Sequence, residues 1–227
     1  MKLAKGALDV GLQLCSGDSE ALAAVLACWR EQIGAVPDHM LPLGGGRRQH
    51  RHAWGESVIK INETRGGLCR GTAAGWRTVL LEGPGIRAAE SITDPEGNRV
   101  ERRPATSLGL GVQLHVRDPD ASARFFARLG LPVEGHRVEI GSSRIELIED
   151  RDAQPSPPLD GTGLRYVTIQ VRGADSSYAE ALAAGGIEGM APRTLGEVAR
   201  FGFVREPGGN WIELSQRRSI VGNLDPA

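Results

Sequence analysis

Two glutamates stand in the same setting. Glu146 in "RIELIE" and Glu213 in "WIELSQ" each follow an isoleucine inside a period-two stretch. Alternate residues of a strand face opposite ways, so each carboxylate emerges opposite its aliphatic neighbours. A carboxylate placed like this can move protons or bind a cation. Trp211 shares a face with Glu213, and an indole beside a carboxyl group raises its pKa toward that of a general base. His115, on the same parity of "GVQLHV", would be the acid partner. Gln113, Arg144, Tyr166, Thr168 and Gln170 should join them. Glu213 and His115 are thus the candidate catalytic pair, and Gln113, Arg144, Tyr166, Gln170 and Trp211 the candidate substrate contacts. Taken singly, each also reads as a satisfied polar residue in a partly wet barrel, with Arg144 pairing a Glu. Taken as a cluster they read as a pocket for a small molecule.

Other chemistry-bearing residues are less well placed. His50 and His52 share one face of a strand and could chelate, but "RRQHRH" also reads as a solvated strand end. His136 has no evident partner. Cys15, Cys28 and Cys69 lie at no metal-ligand spacing, and a disulfide framework is not expected. Gln13, Cys15, Lys60 and Trp76 look less reactive than the C-terminal set.

Positioning these groups takes strands, turns and helices that the chain writes more than once. "DPEGNRVE" (94–101) returns as "EPGGNWIE" (206–213). Pro95 and Pro207 suit the first central position of a β-turn, and Gly97 and Gly209 can take positive φ. "LDVGLQLCSGD" (8–18) returns as "LGLGVQLHVRD" (108–118). Both read as strands running into helices capped by Asp18 and Asp118, with Pro119 at the first helical position and with Gly34 and Gly130 as stops. "HRHAWGESVIKINE" matches "HRVEIGSSRIELIE", with Gly55 and Gly141 at the hairpin tips and Lys60 opposite Glu146 in the alignment. A further strand–helix pair, "RYVTIQVRGADSSYAEALAAGG", has Asp175 as its cap and Gly185 as its stop. Its counterpart from Trp76 lacks room for a helix before the next strand.

The chain therefore reads as an α+β protein of four repeated βαβββ units in two halves, residues 1–104 and 105–227, the second unit truncated. Curved, half-open mixed sheets with helices outside would enclose a cavity on the mixed face, placed in the C-terminal half. The N-terminal half is expected to be structural or to build a homodimer interface. The linkers are 65–75, 103–107 and 150–163. A formal charge of −1 gives no field for nucleic acid or an anionic membrane. With 24 Arg against three Lys and many Ala and Gly, the composition reads as GC-rich coding rather than phosphate sites. No apolar run approaches membrane-spanning length, and a cytoplasmic protein is expected.

The strand-to-helix "HVRDPDASARFFARLGLPV", the hairpin "EPGGNWIEL" and the fourfold layout resemble the vicinal oxygen chelate superfamily, which includes glyoxalases, bleomycin-resistance proteins and extradiol dioxygenases. The resemblance spans nearly the whole chain. It implies, in many members, a divalent ion on the concave face that stabilises a substrate oxyanion. It puts metal ligands at Gly11, Gly111 and Tyr166 on first strands, and at Lys60, Glu101, Glu146 and Glu213 on last strands. Gly11 and Gly111 have no ligand atom. Glu146 and Glu213, with His115 recruited, could still hold a divalent ion, and no other cofactor is implied. The resemblance leans to a lyase, isomerase or dioxygenase on a small oxygenated molecule, aromatic ones among them. The alternative is a metal-free binding protein of the antibiotic-sequestering kind.

Overall fold

Glycines fix where the strands turn. In the computed structural model, which describes residues 1–68, 71–154 and 157–224, Gly55 and Gly141 take φ of +57° and +58°, and Gly97 and Gly209 both take +90°. Cys69 and part of the linkers 65–75 and 150–163 fall outside the described residues. The first unit comprises β1 (Leu3–Gln13), α1 (Ser19–Ala27), a π-helical turn (Cys28–Gln32), β2 (Val36–Gly44), β3 (Arg47–Trp54) and β4 (Ser57–Thr64). The second comprises β5 (Trp76–Gly83), β6 (Glu90–Thr93) and β7 (Arg99–Pro104), with no helix, as its spacing predicts. The third has β8 (Gly109–Val116), α2 (Pro119–Arg128), β9 (Val133–Glu134), β10 (Arg137–Ile140) and β11 (Ser143–Glu149). The fourth has β12 (Gly163–Val171), α3 (Ala174–Ala183), β13 (Ile187–Leu195), β14 (Ala199–Arg205) and β15 (Trp211–Arg217), then a short α4 (Arg218–Val221).

The Asp18 and Asp118 side chains accept from the N–H of Ala21 and Ala121 at 3.3 and 2.8 Å, satisfying N-terminal donors that the helices leave free. Asp175 is not the cap of α3. Gly173 holds that position, and Asp175 sits in the first turn with its carboxylate against Arg200.

The units do not pair within the two halves. One eight-stranded sheet runs β13-β14-β15-β12-β1-β4-β3-β2, joining the fourth unit to the first. A seven-stranded sheet runs β6-β7-β5-β8-β11-β10-β9, joining the second to the third. Each seam is antiparallel, β1 with β12 and β5 with β8. Within each unit the first and last strands run parallel. Alternation then sends Leu8, Val10 and Leu12, Ile59 and Ile61, Val167 and Ile169, and Ile212 and Leu214 into one hydrophobic core shared with the other sheet and the helices. Burying a side chain of that size contributes roughly 1.5–3 kcal/mol. Among the described residues no helix is long and apolar enough to cross a membrane.

The repeated turn phrases do more than turn the chain. Asp94 is 3% exposed and Glu206 is fully buried. The Asp94 carboxylate accepts from the N–H of Glu96 and Asn98, both at 2.9 Å. The Glu206 carboxylate accepts from Gly208 and Asn210 at 2.8 and 3.1 Å. Each acid also takes a donor from a helical segment of another unit: Trp29 Nε1 to Asp94 at 2.9 Å, and Ser122 Oγ to Glu206 at 2.6 Å. The phrase recurs because its acid closes the turn and pins it to a helix.

Candidate functional site

All eight strands of the larger sheet contribute to a single cavity of about 530 Å³, so that sheet must curl around it. The curl follows from parity. On β4, Ile59 and Ile61 face the core while Lys60 and Asn62 face the cavity, and on β15 Glu213, Ser215 and Arg217 take the cavity side. The cavity is therefore built by the first and fourth units together. The expectation of a cavity confined to the C-terminal half is corrected, because the half read as less reactive supplies Gln13, Gln49, Arg51, Lys60 and Asn62.

At its floor Lys60 Nζ lies 2.6 Å from Glu213 Oε2 and donates to Thr168 Oγ at 2.6 Å, while Thr168 Oγ donates to the same Glu213 oxygen at 2.6 Å. Lys60 is 3% exposed. Burial pushes its pKa down, and the Glu213 charge opposes that shift. Tyr166 stands beside this triangle, its ring 5.6 Å from Lys60 Nζ and its hydroxyl accepting from Asn62 Nδ2 at 3.2 Å. Burial raises its pKa, so the phenol keeps its proton. Gln49 holds Asn62 in turn, through Nε2 to Oδ1 at 3.0 Å. Phe203 packs edge-on against Tyr166 at 5.3 Å and against Phe201 at 6.1 Å, giving the cavity an aromatic wall.

Gly11 explains how Tyr166 fits. The two residues pair across the β1–β12 seam. A Cβ at Gly11 would lie 2.1–2.5 Å from atoms of the Tyr166 ring. The ring occupies the space that a side chain at Gly11 would need.

The candidate residues divide between the sheets. Glu213 and Tyr166 line the cavity. Gln170 is buried beneath it, its Nε2 on Asp9 Oδ2 at 2.8 Å. Trp211 lies outside the lining: its Nε1 donates to the Pro157 carbonyl at 2.6 Å, and Arg205 stacks 5.2 Å from its ring. Gln113, His115, Arg144 and Glu146 belong to the seven-stranded sheet. There Arg144 grips both oxygens of Glu82 at 2.5 and 2.8 Å and Glu146 at 3.0 Å. Gln113 donates to Glu146 at 3.3 Å, and Arg103 reaches Glu146 at 3.4 Å and Glu101 at 2.7 Å. Hydrogen bonds from Arg144 hold Glu82 below the usual carboxylate range. For Glu146, burial pushes upward, and the Arg144 and Gln113 bonds outweigh it. His115 lies 3.4 Å from Asp150. The proposed His115–Glu213 and Glu146–Glu213 pairings join residues of different sheets, and each acid is engaged within its own.

Among the other histidines, His50 binds Glu63 at 2.9 Å, and burial lowers the pKa of His52. His136, read as partnerless, meets Asp120 at 3.0 Å. Phe201, Phe203, Arg51, Asn62 and Arg217 were not anticipated at the site. The alternation in "ARFGFV", and the alignment that set Lys60 on Glu146, were the available signals.

The four positions at which the resemblance puts metal ligands in this sheet are held by Gly11, Lys60, Tyr166 and Glu213. Glycine offers no donor, an ammonium offers no lone pair, and a phenol with raised pKa is a poor ligand. Lys60 already supplies the cationic partner of Glu213. This donor set does not fit a divalent ion. Among the described residues no group of three or more His, Cys, Asp or Glu stands together as a metal site.

Residues 111–214 match the sequence model of the Glyoxalase/Bleomycin resistance protein/Dioxygenase superfamily. No curated protein matches the chain. Glyoxalase I from Zea mays aligns over 95% of this chain and 92% of its own, with a TM-score of 0.71 and 15% identity. A candidate dioxygenase from Bacillus subtilis aligns over 100% of this chain and 92% of its own, with a TM-score of 0.67 and 12% identity. The cppA protein from Streptococcus pneumoniae aligns over 95% of this chain and 100% of its own, with a TM-score of 0.55 and 9% identity. At such identities the likeness is one of fold.

Proposed function

We propose that this chain, whose residues 111–214 match the glyoxalase/bleomycin resistance/dioxygenase superfamily model, binds a small oxygenated organic molecule in the cavity of its eight-stranded sheet, without a metal. The observation that carries this reading is the Lys60–Thr168–Glu213 triangle at the floor of a cavity walled by Phe201 and Phe203. A ligand oxygen would meet the Lys60 ammonium, and an apolar or aromatic body would lie on the phenylalanines.

A second reading, catalysis at the same triangle, is favoured by the burial that lowers the Lys60 pKa. Glu213 would take a proton from a carbon next to a carbonyl, and Lys60 would hold the oxyanion that forms. One experiment serves both readings. Oxygenated aromatics are titrated against the protein and followed by thermal shift, and a carbonyl compound that binds is then incubated in deuterated water. Glu213→Gln should weaken binding, whereas Glu101→Gln, in the other sheet, should leave it unchanged. Deuterium entering the ligand with wild type but not with Glu213→Gln establishes the catalytic reading, and binding without exchange establishes simple binding. Loss of binding in Glu101→Gln with Glu213→Gln silent would place the working site in the seven-stranded sheet.

A further inference from the structure

We infer that the ligand of this cavity carries an oxyanion, a carboxylate or a phosphate, received by Arg51 and Arg217. The inference rests on the cavity reading above and gives it a ligand class. Five cationic side chains and two carboxylates line the cavity. Both carboxylates are engaged, Asp160 by Arg47 at 2.9 Å and Glu213 by Lys60 at 2.6 Å. Arg51, Arg193 and Arg217 face the cavity with no carboxylate within ion-pair distance among the described residues.

Arg51 is the sharpest case. It is 5% exposed, and its NH1 donates to Gln49 Oε1 at 2.7 Å. Its Nε has no partner among the described residues. In the β3–β4 register it stands opposite Lys60, and like charges set directly opposite repel. The Arg217 side chain, on β15, makes no hydrogen bond or ion pair among the described residues. Burial lowers its pKa first and the Arg51 charge second, against the weaker opposing pull of Asp9, Glu213 and Asp38, so the two guanidinium groups act on each other. A buried charge without a counter-ion is costly. Here one such charge, Arg51, and a partly buried second, Arg217, border a cavity large enough for a metabolite-sized molecule, roughly 300–1,000 Å³ being usual for ligand sites. A guanidinium presents paired donors that match a carboxylate or a phosphate. Leu41 and Leu43 from β2, with Phe201 and Phe203 from β14, leave room for an apolar body. The ligand class is therefore an organic anion with an aromatic or aliphatic body.

Fluorine NMR of para-fluorobenzoate, para-fluorophenyl phosphate and the neutral para-fluorobenzamide tests this at millimolar probe. Wild type should broaden one or both anions at roughly tenfold lower concentration than the amide, the preference expected of a charge-assisted bond. The stronger of the two anions identifies the oxyanion. Arg217→Gln and Arg51→Gln should each erase the preference, while Arg137→Gln, exposed on β10, should keep it. If Arg51→Gln does not fold, Arg217→Gln decides alone, because its side chain is only partly buried. Equal binding of anion and amide overturns the anion inference and leaves the cavity reading standing. Binding of no probe, charged or neutral, brings down both. An anion preference that survives both arginine substitutions places the anion elsewhere.

Discussion

The two sheets are variations on one unit, and they treat their concave faces in opposite ways. In the eight-stranded sheet the glycine of the first strand, Gly11, makes room for the Tyr166 ring, and the face remains an open cavity. In the seven-stranded sheet the equivalent Gly111 is closed over by Arg144 Cγ at 3.2 Å and by Leu80, its seam partner, at 3.2–3.3 Å. Arg144, Arg103 and Arg99 with Glu82, Glu146 and Glu101 then satisfy one another across that face. The cavity has the reverse balance, with cations in excess and only two acids to meet them. One scaffold thus gives a self-neutralised surface on one side and a charged hollow on the other. The choice lies in a few side chains at matching positions, not in the backbone.

Three sets of substitutions test that contrast, and the largest effect is expected at Lys60. Lys60→Met leaves Glu213 without its cation in a mostly buried place and should cost about 3 kcal/mol, the scale of breaking a buried ion pair. The double variant Lys60→Met/Glu213→Gln should recover much of that loss in urea unfolding, since the two residues act as a unit. Full additivity would show that the pair is not coupled.

Next comes the glycine pair. Gly11→Ala pushes a methyl group into a ring boxed in by Asn62 and Phe203, and should cost about 2 kcal/mol, within the usual range for overpacking. Gly111→Ala, against contacts of 3.2–3.3 Å, should cost roughly half as much. Unfolding midpoints in the reverse order would mean that the two glycines are not equivalent.

The smallest effect is expected at Glu82. Glu82→Gln should lose about 0.5–1 kcal/mol at neutral pH, the low end for a net hydrogen bond, since the amide oxygen can still accept from Arg144. The Glu82 pKa is depressed in the folded state. Its contribution is therefore fully present above the unfolded value of about 4.3 and is lost as pH falls through the lower folded value. Wild type and Glu82→Gln should converge in stability in acid. A gap that persists there would separate the effect from the ion pair.

Local chemistry was legible in the sequence. Gly55, Gly97, Gly141 and Gly209 take the positive φ that their turns require, Asp18 and Asp118 cap their helices, and the aliphatic parity of β4, β8, β12 and β15 is as read. The missing helix after β5 was legible from chain length alone. The partnership of sheets was not, because β1 meets β12 across some 150 residues and nothing in either strand's own pattern names the other. That one unknown misplaced His115 and Glu146 beside Glu213 and left Lys60 in a half read as less reactive. Trp211 had the parity of Glu213, but its indole turned to the Pro157 carbonyl, a partner that parity does not reveal.

The seam between the first and fourth units has a consequence during synthesis. When β1 has left the ribosome, β12 still lies about 150 residues away, roughly eight to thirty seconds at ordinary translation rates. Through that interval one edge of β1 is an open row of amides and carbonyls next to a nascent apolar face, the kind of edge that invites wrong partners. The second and third units, separated only by the short connection between β7 and β8, can close on each other well before that. The order of emergence makes the self-neutralised sheet the early scaffold, and the charged hollow forms last, when the final strands of the chain arrive to complete it.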